Sequence, residues 1–489
     1  MDLTLSRRDF LRAGGVTAAA LVMSGCETLE QRFTSVDMPG DPFASGSWQK
    51  ASPAAKLLHR AGYGPRPGDI RHVESVGHAA YIASQLTVDS IDEPKMLTIR
   101  LRSLIDSLDP DTGLLFDQDD HRLVTALRQA TILRAVYSNR QLFERTVEFW
   151  SDHFNIYAFK NQGPQLTVVD NQKSIRANAF GNFRDMLGAS ARSAAMLGYL
   201  DNVVNRKGVP NENYARELME LHTLGVHGGY TQKDVREVAR CLTGWTSEKR
   251  WHRGRFLFDS DAHDNGRKVV LGQVIEPGGG VHDGERVLDL LANHPATATH
   301  LATKMCLFYL GHAPETVVKD VAATYTRTRG SIKDMLRTVL TEENLASSPP
   351  MFKRPYDYVI SSVRAVNADT DGGPQIQSHL EKMGQLPYGW PMPNGYPLQQ
   401  RSWIGGLIPR WGFALSLVDN TIENTRVDFD SIRKAARAHG LTEPDGVLNM
   451  AFGVSSEGPV ESLRQKIASL GDAREYTSMI LMSPEFQWR

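Results

Sequence analysis

From about residue 53 to residue 483, apolar residues recur three and four positions apart in one segment after another, with breaks too short to hold more than turns. A chain patterned this way must bury one face of each of many helices, so the sequence predicts an all-α fold, a single large domain of packed helices. The spacing predicts helices near 53–61, 67–73, 77–87, 93–108, 120–137, 140–157, 170–187, 190–197, 211–224, 231–245, 282–293, 295–310, 315–327, 331–341, 354–367, 374–383, 403–417, 429–438, 443–452, 459–470 and 474–483. Local chemistry supports several ends. Thr231 with Asp234 forms a capping-box pattern, Gly225 supplies a left-handed stop after Leu224, and Pro355 suits a first helical position. One small β-hairpin insert is expected, with 255–258 paired to 268–271 around the loop 259–267. No period of 20 to 50 residues repeats, which removes a solenoid. A two-domain split at Gly278-Gly279-Gly280 is the alternative to a single domain.

The beginning of the chain is an address. Ser6-Arg7-Arg8-Asp9-Phe10-Leu11 is a twin-arginine export signal, with Arg7 and Arg8 as the pair that the translocase reads. The apolar run from Ala13 to Met23 is about half the ~20 residues that cross a bilayer. Met23-Ser24-Gly25-Cys26 resembles a lipobox, so residues 1–25 read as a lipoprotein signal peptide and Cys26 as the lipidated residue, anchoring the protein to the membrane without spanning it. Ordinary cleavage that leaves Cys26 lost or free is the other reading. Gly, Pro and Ser then dominate up to residue 52, as in a flexible tether, and the helical domain is expected over 53–489.

Lys plus Arg total 55 and Asp plus Glu 56, so there is no basic surplus to supply the counterion-release energy of nucleic-acid binding. No nucleic-acid partner is expected. The signal peptide carries Asp2, Arg7, Arg8, Asp9 and Arg12, and its removal leaves the net charge near -2. Twin-arginine cargoes fold in the reducing cytoplasm, so Cys241 and Cys306 are expected as buried thiols rather than as a bridge. The same route raises the expectation of a bound metal or cofactor.

Three polar groups fall on apolar helix faces. In 140–157, His153 lies amid Leu142, Phe143, Val147, Phe149, Trp150 and Phe154, while Glu144, Arg145, Glu148, Ser151 and Asp152 take the opposite face. His153 is therefore either a hydrogen-bonded core residue or a ligand facing a pocket. In 211–224, Glu217 and His222 point toward the core among Leu218, Leu221 and Leu224, whereas Glu212, Arg216 and Glu220 form an ordinary surface ladder. A buried carboxylate must be paired, metal-bound or protonated, and a salt bridge from Glu217 to Arg184 or Arg240 is the structural alternative. Five residues separate Glu217 from His222, too far around one helix for a shared ion. The loop 259–268 gathers Asp259, Asp261, His263, Asp264 and Lys268 without the EF-hand order. The stretch 387–397, with Tyr388, Trp390, Tyr396 and four prolines, suits a rigid lid or binding loop. Hydrolase-elbow, zinc-protease, Walker, dinucleotide and haem motifs are absent from the sequence.

Leu57-Leu58-His59-Arg60-Ala61-Gly62-Tyr63-Gly64-Pro65, Glu148-Phe149-Trp150-Ser151-Asp152-His153-Phe154-Asn155, the run 211–231, His263-Asp264 with Gly266 and Lys268, Leu242-Thr243-Gly244-Trp245, Pro393-Asn394-Gly395-Tyr396-Pro397 and Ser483-Pro484-Glu485-Phe486 together resemble the bacterial domain of unknown function 1800 family. The resemblance spans nearly the whole mature chain. It implies an exported single-domain protein, genomic association with a second exported family of unknown function, and no established activity.

Three functional expectations follow. The first is a pocket in which His153, His222 and His263 hold a divalent metal while Glu217, Glu220 or Asp264 orient ligands or act as base in hydrolysis. The second is a non-catalytic envelope assembly protein in which those groups are internal salt bridges. The third is a polysaccharide-binding protein whose Tyr388, Trp390 and Tyr396 rings line an exposed groove.

Overall fold

A computed structural model describes residues 52–105, 108, 113–160, 163–248, 254–438, 440–452, 461–468 and 470–489. Arg7, Arg8, Cys26 and the tether lie outside the described residues. Helices make up most of the rest, and many expected segments appear at their expected places: Pro53–Ala61, Asp120–Tyr137, Pro295–Leu310, Phe429–Ala438 and Glu443–Phe452. Thr231 and Asp234 form the reciprocal capping box, and Pro355 opens Pro355–Ala365. No described helix is long and apolar enough to cross a membrane.

The β-structure differs from the single expected hairpin. Trp245–Ser247 pairs with Phe256–Phe258, Lys268–Val270 pairs with Gln273–Ile275, and Asp369–Thr370 pairs with Thr425–Arg426, all antiparallel. The two halves of the expected hairpin thus belong to different ribbons. Leu271 at φ 49 and Gly272 at φ 77 turn the chain tightly after Val270, so 268–270 meets the strand that follows it rather than 256–258.

Two helix ends also fall short of the periodicity. Gln141–His153 stops because Phe154, at ψ 49, leaves helical geometry. Asn213–Glu220 stops four residues before Leu224, and the chain then turns through Leu221 to Gly225. The expected segment 170–187 breaks into the end of Gly163–Asp170, a wide π-type turn at Asn171–Ile175 and the start of Phe183–Ala191.

Two apolar cores lie side by side. One is built from Pro53–Ala61, Gln141–His153, Phe183–Ala191, Asn213–Glu220, Gln232–Cys241 and the helices between 281 and 339. The other is built from Asp120–Tyr137, Pro355–Ala365, Leu407–Val418 and Ala473–Met482. Ion pairs cross between them. Arg145 of the first reaches Asp357 of the second at 2.5 Å, and Arg354 binds both Glu148 and, at 3.0 Å, Asp152. Arg489 completes the group, 3.5 Å from Asp357. Although burial opposes it, the Arg145, Arg489 and Arg354 charges hold the Asp357 carboxyl well below the usual carboxylate range.

Candidate functional site

At the junction of these cores a cavity of about 50 Å³ is walled by Glu144, Glu148, Ser151, Asp152 and Asn155, by Tyr63, Tyr356 and Gln385, and by the loop residues Pro387, Tyr388 and Tyr396. Glu148 and Asp152 are one helical turn apart and share the Arg354 guanidinium, which fixes both carboxylates. Glu144 accepts two bonds from Arg176, at 2.7 and 2.8 Å. Burial raises the Asp152 pKa to about 6 against the pull of Arg354, and the neighbouring Glu148 charge adds to the rise. Asp152 can therefore hold or release a proton near neutral pH.

The loop 387–397 covers this helix end. Asn155 donates to the Trp390 and Met392 carbonyls at 3.0 and 2.7 Å, and Tyr199 donates to the Pro391 carbonyl at 2.7 Å. Gly395, at φ 71, lies so near the Asp152 carbonyl that a Cβ there would be 2.1 Å from the oxygen. Tyr388 adopts φ 61, and its hydroxyl meets Thr131 and Asn171. The aromatic residues do not form an exposed groove. Tyr396 is buried, and Trp390 packs on it at 5.0 Å beside Trp403 and Phe352. Their rings hold the loop down because folding them together removes apolar area from water.

Behind Asp152 the His153 and His222 rings lie together, with centroids 6.0 Å apart. His300 and Lys304, both missed, join them. His153 Nε2 faces the His222 carbonyl at 3.1 Å, and a carbonyl only accepts, so Nε2 carries the hydrogen. Nδ1 then accepts from Lys304 Nζ at 2.9 Å. Burial lowers the Lys304 pKa to about 8, with Asp152 opposing the fall. Burial, with Lys304 and His300 adding to it, lowers His222 to about 3, and neither of its ring nitrogens has a hydrogen-bond partner among the described residues.

The remaining expected site residues lie elsewhere. Glu217 is half-buried, without the ion pair to Arg184 or Arg240; those arginines bind Glu285 and Asp289, and Glu237 and Asp264. Burial and the Glu220 charge raise its pKa, and its own charge adds to the burial that lifts Tyr199 to about 12. Glu220 accepts from the Tyr230 hydroxyl at 3.5 Å. His263 is bonded to the Thr243 carbonyl at 2.8 Å and to Asp283 at 3.2 Å. Lys268 spends its three protons on the Asp264 and Gly266 carbonyls and on Asp283 at 2.7 Å. Asp264 is bound by Arg240, a bond that holds its pKa at about 2 and makes it a weak base. The 259–268 loop is accordingly a knot of satisfied charges.

These donors do not fit a divalent ion. His153 has no free nitrogen and faces an amine, His263 is engaged on both sides, and among the described residues no three His, Cys, Asp or Glu side chains are gathered as a metal site. Glu148 and Asp152 fall on the polar face opposite His153, and that face too is packed, so the helix 141–153 is covered on both sides. The signal for this was in the partner segment, where Arg354 and Asp357 flank the start of a helix with tyrosines on the same turn.

A family described as protein of unknown function (DUF1800) matches residues 56–488, and a twin-arginine translocation signal matches residues 4–24. No curated protein and no solved structure matches the chain.

Proposed function

Since the chain belongs to the DUF1800 family and carries a twin-arginine export signal, we propose that its mature form works outside the cytoplasm, tethered by a lipid on Cys26. In this reading residues 53–489 act as one helical body around an acid–base pocket that takes a small polar group and hydrolyses it. The observation that carries the reading is Asp152, which lines a lidded cavity and keeps its proton to about pH 6 with a guanidinium 3.0 Å away.

Tyrosine rings with Ser151, Asn155 and Gln385 suit a hydroxyl-bearing ligand better than an apolar one. The cavity is partly open, and the 387–397 loop forms one wall of it through Pro387, Tyr388 and Tyr396, so lifting of that loop would widen the way in for a substrate. Asp152 would protonate the leaving oxygen, while Glu148, clamped by Arg354 and Arg145, would orient the attacking water. The metal-assisted form of this chemistry is not carried forward, because the donor set does not fit an ion.

The test is hydrolysis of envelope glycan and ester substrates by wild type and Asp152→Asn. Wild-type activity should fall as pH rises through about 6, and the variant should lose about a hundredfold while remaining folded. Equal activity in the two proteins refutes the assignment. For the anchor, Cys26→Ala should move the protein from the membrane to the soluble fraction, and unchanged membrane association refutes lipidation.

A further inference from the structure

Among the interior amines, Lys304 differs from Lys268, whose protons are all bonded, and from Lys353, which lies 3.4 Å over the Phe486 ring. Lys304 instead donates to a neutral imidazole. Because the His222 carbonyl fixes the hydrogen of His153 on Nε2, Nδ1 carries no proton and accepts from the lysine nitrogen at 2.9 Å. The His153, His222 and His300 rings surround this contact, with His300 6.3 Å from His153, and Asp152 is the carboxylate whose charge reaches it. His222 is 1% exposed, yet both of its nitrogens lack a hydrogen-bond partner among the described residues. A buried imidazole in that state is a ready hydrogen-bond group for a bound molecule.

We propose that Lys304 is a nucleophilic amine that captures a small aldehyde or ketone as an imine, with His153 as its proton acceptor. The inference does not rest on the hydrolytic reading, since neither residue lines that cavity. His153 Nδ1 takes a proton from the ammonium, and the freed pair on Nζ forms a bond to the carbonyl carbon. The C=O π pair moves to oxygen, which takes the proton back from His153. The second nitrogen proton passes to the new hydroxyl, which departs as water and leaves a protonated C=N bond, and loss of the third nitrogen proton gives the neutral imine. In sum, ammonium and carbonyl give imine, water and one proton. His222 is the neighbouring imidazole able to hydrogen-bond the carbonyl oxygen. Burial supports the step, because a lysine with a pKa of about 8 is partly free amine near neutral pH.

The experiment treats the mature chain with propionaldehyde and sodium cyanoborohydride at about pH 7.5 and follows alkylation of each lysine by peptide mass mapping. Lys319, whose side chain is 72% exposed, is the reference. Lys304 should be alkylated at least about tenfold faster than Lys319, and urea should abolish the preference. A folded His153→Gln variant should label Lys304 more slowly. The proposal is overturned if Lys304 reacts no faster than Lys319, if its preference survives in urea, or if folded His153→Gln labels at the wild-type rate.

Discussion

Asp357→Asn is the sharpest test of how the two cores are joined. Asp357 is 3% exposed and takes a guanidinium bond from Arg145 at 2.5 Å, with Arg354 and Arg489 at 3.6 and 3.5 Å. Arg145 is fully buried, and among the described residues its Nε and Nη2 have no hydrogen-bond partner, so Glu148 is the carboxylate left to it. Asparagine keeps the shape and removes the charge, leaving three interior cations undercompensated. Breaking a buried pair from one side costs about 3–5 kcal/mol, a large share of a typical total of about 5–15 kcal/mol. Asp369→Asn is the control: its partner is Arg100, but its side chain is 70% exposed, and such pairs contribute about 0–1 kcal/mol. Urea unfolding followed by circular dichroism at neutral pH measures both. The folded pKa of Asp357 lies below its unfolded value near ~3.9, so its stabilisation is present above that value and is lost as pH falls through the folded one. The gap between wild type and Asp357→Asn should therefore close in strong acid. A loss below about 1 kcal/mol, or one equal to that of Asp369→Asn, refutes the reasoning.

Three further outcomes are expected. Lys268→Met should destabilise the chain by about 3 kcal/mol in the same urea assay, since it leaves Asp283 buried beside His263 alone and frees the Asp264 and Gly266 carbonyls; a change within about 0.5 kcal/mol contradicts the knot. Gly395→Ala should push the loop off the Asp152 carbonyl and make Trp390 more accessible to acrylamide quenching, and unchanged quenching contradicts the lid geometry. Asp152 has a folded pKa of about 6, above its unfolded value, so its contribution is complete below ~3.9 and lost as pH rises through about 6. Asp152→Asn should flatten the stability profile between those limits, and a profile parallel to wild type rejects the shift.

The helical architecture was legible because periodicity reports which face of a segment is buried, and it succeeded wherever one face alone is covered. Gln141–His153 shows the limit. Both of its faces are buried, one by apolar rings and the other by Arg354, Asp357 and the tyrosines, and a helical wheel cannot separate a solvated polar face from one meeting a polar partner. His153 and His222 each stand out on the helical wheel, but a wheel cannot bring residues of two separate segments to each other. Glu217 was misread because the wheel assumed helix up to Leu224, whereas the helix ends at Glu220. His300 and Lys304 escaped notice because Pro295–Leu310 is apolar around most of its circumference and gives two polar residues no distinctive position. The strand partners were set by a tight turn at Leu271-Gly272, a signal of two residues that alternation over longer windows hides.

The last residues of the chain lie against segments far upstream. Met351 and Arg489 exchange both backbone bonds, Lys353 donates to the Gln487 carbonyl, and the Arg489 side chain reaches the His59 carbonyl across 430 positions of sequence. This clasp closes only once residue 489 has been made, so the contacts that tie the two cores together wait for it. A product truncated before residue 487 would keep the twin-arginine signal at residues 4–24 but lack every one of these bonds between distant segments.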